Sequence, residues 1–301
     1  MNTTDGNRDA AAGPPRDPLD EMDWSWAGPP LDTRPLFPLE RAELVAVLRQ
    51  LDAGDWQRPT VCPGWCVHDV TAHVVHDYLR KLSGTRDGHA APGPRPGETM
   101  PGFLHRMNEE FVHAASRWSP QVLIGLLGHL GPQLDQLWAS LSLDRLGEAV
   151  SWAAPGQPAP VWLDIAREYS EYWVHQQQIR DAVSCPGANG EHLIAPVIDT
   201  FLRSVPYTLR QLTADPGTCV HIQVTGPGWW HLVGPAARRH LDGGPWSAPA
   251  VRRRARPAVI RQPVAGRDQG GITVTAARDR ATLSGDQALG SAVLNLVAII
   301  R

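Results

Sequence analysis

The sequence predicts an α+β protein: a helical bundle over residues 36–214 followed by a smaller α+β domain over residues 215–301. Three observations carry this. Apolar residues recur at helical spacing in one segment after another up to Thr213. After Pro216-Gly217 the period changes to the alternation of strands. Residues 1–35 fit neither pattern; rich in Pro, Gly and Asp, they read as a disordered or loosely docked arm. With 301 residues the chain is long enough for two modest cores.

The arm's apolar exceptions are Trp24, Trp26 and the Leu36-Phe37 pair at its end. They are expected to tack the arm onto the first helix, since isolated tryptophans seek burial. That helix is predicted over about 39–51, its apolar positions being Leu39, Ala42, Leu44, Val45, Val47, Leu48 and Leu51. From Arg58 to Trp65 two prolines and a glycine exclude a helix. A second helix is predicted over about 67–82 on the stripe Val67, Val70, Val74, Tyr78 and Leu82, and residues 84–101 read as a Gly/Pro-rich surface loop. Further helices are predicted over about 102–117 and 120–141, with Gly128 to Pro132 able to kink or split the latter. A Pro/Gly turn at 153–160 precedes helices over about 161–183 and 191–213, the last bent at Pro206. Strands are predicted at 218–224, 228–233, 271–276 and 281–284, and a final helix at 286–300.

Composition excludes several function classes. A net charge of −3 gives no overall pull toward nucleic acid or anionic membranes. Arg252-Arg253-Arg254 with Arg256 is a local cluster in a chain that lacks a positive domain, so it reads as an exposed loop. The longest apolar stretch, Ala292 to Ile300, is too short to span a bilayer, and the first 23 residues hold no apolar signal segment. The expected location is the cytoplasm, with the four cysteines reduced. Cys62 and Cys66 lack the spacing of a closed zinc site. Cys66 opens the second helix, where the helix dipole favours a thiolate; a small buried residue is the plainer reading.

The chemical signal is Glu171-Tyr172-Trp173-Val174-His175. Residues four apart share a helix face, so a carboxylate and an imidazole here converge on one point. Glu168 and Gln178 extend the polar stripe within a helix otherwise lined by Ile165, Tyr169, Tyr172, Trp173 and Ile179, and such a stripe needs partners. The second helix offers them in Asp69, His73, His76 and Asp77. His73 beside Glu171 and His175 gives two imidazoles and one carboxylate, a three-ligand zinc set with an open position. His76, one turn along, competes for that role, and Asp69 or Asp77 can orient an imidazole from behind. An isolated Glu-x-x-x-His pair is a weak signal on spacing alone.

The segment Trp56-Gln57-Arg58-Pro59-Thr60-Val61-Cys62-Pro63-Gly64-Trp65-Cys66-Val67-His68-Asp69-Val70-Thr71-Ala72-His73 resembles the N-terminal signature of the mycothiol-dependent maleylpyruvate isomerase family, within the DinB-like metalloenzyme superfamily. Glu171 to Arg180 resembles its second motif. The resemblance implies a DinB-like four-helix-type bundle, a C-terminal domain similar to sterol carrier proteins, and metal ligation by His73, Glu171 and His175. It covers residues 36–183 well and the C-terminal domain loosely. Gln178 departs from the aspartate many relatives carry, and His68 from a common arginine.

The function so implied is that of a metal-dependent isomerase or thiol S-transferase. Zinc is the expected divalent metal and mycothiol the co-substrate, acting on an electrophilic small molecule. Arg80, Arg238 and Arg239 are candidates for holding the thiol's anionic groups, because a guanidinium matches a carboxylate. His240 and the Trp229-Trp230-His231 run are further candidates for facing the cleft, although core packing explains the tryptophans more simply. The expected partners are small molecules, with no nucleic acid and no membrane, the chain acting as monomer or homodimer. Two other readings fit the same scaffold: a metalloenzyme working without a thiol, and a non-enzymatic binding protein.

Overall fold

The structure is a computed structural model of the chain and describes residues 24, 27–150, 158–209, 212, 219–224, 230–235, 258–260, 281–282 and 286–294. Helix α1 (Phe37–Leu48) starts with a proline in its first turn, where the missing N–H costs nothing. Leu44, Val47 and Leu48 are buried, whereas Leu39, expected on the apolar face, is 49% exposed.

The loop after α1 is tied back on itself. Thr60 N–H donates to Trp65 O, Trp65 N–H to Cys62 O, and Pro59 bridges Cys66. Gly64 makes the turn possible with φ of +81°, a conformation L side chains rarely adopt. Helix α2 (Val67–Lys81) then begins with a capping box: Asp69 Oδ2 accepts from Cys66 N–H at 3.0 Å. All five residues of its predicted apolar stripe are buried.

After a π-type turn (Leu82–Arg86), α3 (Met100–Ala115) and α4 (Pro120–Ser140) start at Thr99 and Ser119, whose hydroxyls accept from Gly102 and Val122 N–H. The predicted kink or split in α4 does not divide it; one helix runs through Pro132. Gly128 and Pro132 both lie on the exposed face, so the carbonyl that proline cannot serve is open to water. On the buried face Gly131 makes room for Arg41, which pairs with Asp135: a Cβ there would stand 2.3 Å from Arg41 Nε.

A short antiparallel pair, β1 (Leu146–Ala149) and β2 (Pro158–Pro160), leads into α5. It replaces part of the predicted turn at 153–160; its two prolines masked a two-stranded edge where few N–H groups are needed. Residues 151–157 lie outside the described residues. Trp24 does not dock on α1 as expected. It packs with Leu31 and Leu143 onto a second small core of Ala27, Val150, Ala159, Trp162 and Leu163, beside this pair and the head of α5. Trp26 lies outside the described residues.

Helix α5 (Val161–Ala182) crosses the middle of the bundle, where the Phe37 ring meets Trp138, Tyr169 and Tyr172 at 5.6–5.8 Å. The helix predicted over 191–213 is two, α6 (Glu191–Leu202) and α7 (Val205–Leu209). The break at Arg203-Ser204 precedes Pro206, which lacks an N–H for the Leu202 carbonyl four residues back. Arg203 spans the break, binding Asp199 and the Ala27 and Pro29 carbonyls.

Beyond lie β3 (Cys219–Val224), β4 (Trp230–Pro235), β5 (Ala258–Ile260) and β6 (Ala281–Thr282), in the order β4-β3-β5-β6. β3 and β4 are antiparallel, with Cys219 opposite Pro235 and Val224 opposite Trp230, while β3 and β5 are parallel. β5 was not foreseen, and the predicted strand at 271–276 lies outside the described residues. Helix α8 (Gln287–Leu294) lies beside α7. The α+β class is as expected. Among the described residues no helix is long and apolar enough to cross a membrane.

One polar group in the bundle carries a pH signature. Glu40 is 1% exposed; Gln176 Nε2 donates to its Oε1 at 2.7 Å, while Oε2 has no hydrogen-bond partner among the described residues. Desolvation outweighs that hydrogen bond and the charges of Arg41, Arg180 and His175, and lifts the carboxyl from 4.5 to about 7. The folded value lies above the unfolded one, so this contribution to stability is fully present below pH 4.5 and lost as pH rises through 7. Glu40→Gln keeps the shape and removes the charge. It is expected to stabilise the chain at pH 8 by on the order of 3 kcal/mol, with the gain vanishing near pH 4, as read from denaturant midpoints at the two pH values.

Candidate metal centre

Helices α2 and α5 pack side by side, which brings the predicted donors together. His175 Nε2 stands 3.0 Å from Glu171 Oε1, and His73 Nε2 stands 3.6 Å from the same oxygen. The two imidazole rings meet edge to face at 4.7 Å. One ligand atom from each of the three residues lies within 4.8 Å of the others. His73 and His175 are buried, while 24% of the Glu171 side chain is accessible, so the centre opens to solvent on the Glu171 side.

Neighbouring groups fix the orientation of these donors. Gln178 Oε1 lies 2.7 Å from His175 Nδ1 and also accepts from Cys62 Sγ–H at 3.2 Å. An amide oxygen only accepts, so Nδ1 carries the proton and Nε2 is the nitrogen turned to the centre. Burial alone would depress the His175 imidazole, but its contacts with Cys62 and Glu171 outweigh it and hold the group well above its ordinary range. Burial would likewise lift the Glu171 carboxyl, yet His175 and then His73 hold it far below the usual carboxylate range. Trp65 walls the site: its ring lies 5.1 Å from His73, and its Nε1–H donates to Glu109 at 2.7 Å.

The two candidate orienting carboxylates divide. Asp77 Oδ2 stands 3.5 Å from His73 Nε2, the same nitrogen that faces Glu171, so it does not orient the ring from behind; His73 Nδ1 has no hydrogen-bond partner among the described residues. Asp69 instead caps the start of α2, because the Cys66 N–H and thiol claim it. His76 does not join Glu171 and His175; it stacks on Phe111 at 4.4 Å and groups with His73 and Asp77. Desolvation places its pKa below the ordinary histidine value.

Arg80 reaches Asp77 at 3.4 Å and Glu168 at 3.9 Å, and 31% of its side chain remains accessible. It borders a buried charge cluster that sequence reasoning missed. Lys81, 1% exposed, lies 3.0 Å from Glu148, 3.4 Å from Asp164 and 3.3 Å from Glu168. Arg167 binds Asp164 and Glu168 in the same cluster, and Tyr172 donates to Glu168. Glu168 thus does extend the polar stripe of α5, but toward this cluster. Cys62, set aside as a zinc ligand on its spacing, lies beside the centre, where its thiol donates to Gln178. Arg238, Arg239, Trp229 and His240 lie outside the described residues, and Trp230 and His231 belong to β4.

Residues 37–180, from the first residue of α1 almost to the end of α5, match the family described as the mycothiol maleylpyruvate isomerase N-terminal domain. Residues 37–180 carry this family's N-terminal domain. The matched mycothiol maleylpyruvate isomerase domain therefore contains His73, Glu171, His175 and the whole of the Trp56–His73 loop motif, on the helical bundle the sequence predicts. Two solved structures resemble the chain: that of the mycothiol-dependent maleylpyruvate isomerase and that of its histidine-to-alanine variant. Each is 14% identical, covers 81% of this chain and 86% of its own, and superposes with a TM-score of 0.46. Among curated proteins none matches the chain.

Proposed function

We propose that the chain is a metal-dependent enzyme that activates a low-molecular-weight thiol, mycothiol, at His73, Glu171 and His175, for addition to or transfer onto an electrophilic small molecule. The observation that carries this reading is the three-donor cluster, two imidazole nitrogens and one carboxylate oxygen within 4.8 Å, lying inside the family's domain. The donor set fits zinc in its catalytic arrangement, with three protein ligands and an accessible side. When bound, such an ion lowers the pKa of a thiol and polarises a carbonyl.

The chain's own groups supply the rest. Gln178 holds the His175 tautomer, and Trp65 keeps water from one side. The accessible face of Arg80 is placed to meet an anionic group of the thiol. In the reaction the thiol gives its proton to water and a sulfur–carbon bond forms as the π pair of an activated double bond moves toward its carbonyl. Rotation about the resulting single bond and departure of the thiolate give cis–trans isomerisation. Protonation of the adduct instead gives S-transfer. The cytoplasm, where thiols stay reduced, suits either outcome.

The test is elemental analysis of the purified full chain coupled to mass spectrometry of mixtures of mycothiol with activated alkenes. About one zinc per chain, and product only when metal and thiol are both present, are the expected results. Undiminished turnover without thiol would overturn the thiol's role, and a metal-free active chain would overturn the metal's. Gln178→Leu, which removes the acceptor for His175 Nδ1–H, is expected to weaken zinc binding by about 10–100-fold in a competition titration with a chromophoric chelator.

A further inference from the structure

His73 belongs to two donor sets. The first is the centre just described. The second is His73, His76 and Asp77, in which one ligand atom from each again lies within 4.8 Å of the others. These three occupy positions i, i+3 and i+4 of α2, so a single helix presents them on one face without help from any neighbour. The charge cluster and the packing around α2 hold the set in place. Asp77 Oδ1 faces Arg80 at 3.4 Å, which leaves Oδ2 turned to His73 at 3.5 Å. The His76 ring is held against Phe111 at 4.4 Å with 13° between the planes, and its Nδ1 is buried with no hydrogen-bond partner among the described residues. The stack accounts for the ring's carbon faces and leaves that nitrogen unused, the condition a ligand atom needs.

We propose that His73, His76 and Asp77 form a second position for a divalent transition-metal ion, adjoining the centre and sharing His73 with it. Nε2 of His73 stands 3.6 Å from Glu171 and 3.5 Å from Asp77, so the same nitrogen faces both carboxylates. The two sets are therefore alternatives for one ion. The outer set draws on α2 alone and includes the less buried His76, whereas the inner set requires α2 and α5 to be packed. An ion held first by the outer set reaches the inner one by exchanging His76 and Asp77 for Glu171 and His175 while keeping His73. The outer position shares a ligand with the proposed active centre, but its existence does not depend on that reading.

The experiment uses Co²⁺ as the probe, titrated by its visible absorption into the metal-stripped full chain, with circular dichroism confirming that each variant is folded. The variants are His175→Ala, His76→Phe and the two combined; phenylalanine keeps the stack on Phe111 and deletes the nitrogens. The expected result is that His175→Ala still binds one Co²⁺, more weakly and with a changed spectrum. Adding His76→Phe should weaken that residual binding by a further tenfold or more, since losing even an outer-shell partner costs about 10–100-fold. Two results would overturn the outer position: no Co²⁺ binding by folded His175→Ala, or residual binding that His76→Phe leaves unchanged. If His175→Ala binds as tightly as the parent and His76→Phe abolishes binding, the outer position stands and the inner centre is the reading that fails.

Discussion

His73→Ala is expected to leave the folded chain without specific metal and to lower thiol-dependent turnover by at least ~10²-fold. The size of the effect follows from position. Glu171 and His175 sit on one helix, whereas His73 is the donor from the facing helix and the residue common to both donor sets. Removing it leaves Glu171 and His175 as a pair four residues apart, without the third donor. His73 is also 4% exposed and covered by the Trp65 ring, so truncation to alanine opens a small cavity. His73→Gln retains most of the volume and separates the two causes. If metal loss is responsible for inactivity, both variants lose metal and turnover together, while only the alanine variant shows a depressed melting temperature. A His73→Gln chain that keeps its zinc and its activity would remove this residue from the centre.

The second large effect concerns stability. Lys81→Ala is expected to destabilise the chain by about 3–5 kcal/mol, the range seen when one partner of a buried ion pair is removed. Lys81 faces Glu148, Asp164 and Glu168, and the last two are themselves buried. Arg80 and Arg167 remain, but neither can occupy the position of the Lys81 ammonium among three carboxylates. For Asp164, burial acting alone would raise the pKa, yet Lys81 and Arg167 lower it below its ordinary value. A depressed carboxylate pKa contributes stability above the unfolded value of 3.8 that is lost as pH falls through the folded value. The deficit in Lys81→Ala should therefore be full at neutral pH and shrink below about pH 4. Lys81→Met, which restores the apolar stem, should recover only part of the loss. Urea denaturation at both pH values reads each of these outcomes.

The helical part of the fold was legible because its periodicity is local: the stripe from Val67 to Leu82 and the polar positions at Glu171 and His175 are visible within single helices. The convergence of His73 on that pair was legible for another reason, namely that two polar stripes within apolar helices must face something. What could not be read depends on groups far apart in sequence. The charge cluster joins Lys81 to Glu148 and Asp164, 67 and 83 residues away, and no spacing rule links them. The approach of Cys62 to Gln178 spans 116 residues and follows from the folding back of a loop. The β1–β2 pair was hidden by prolines that suit an edge as well as a turn. The break between α6 and α7 was half legible: Pro206 marked the place, and the sequence understated the effect.

Lys81 is the only lysine among 301 residues, and 1% of it is exposed. All other cationic side chains of the Lys/Arg type are guanidiniums, which do not react with ordinary acylating reagents. The chain therefore carries one side-chain amine, and the native structure shields it twice, by burial and by protonation among carboxylates that raise its pKa against the opposing effect of burial. An acylating reagent can reach that nitrogen only when α2 parts from α5 and from the Leu146–Ala149 strand. The mass increment of one acyl group on a peptide containing residue 81 thus times the opening of the bundle directly. When reclosing is fast relative to acylation, the rate of labelling reports the free energy of that opening.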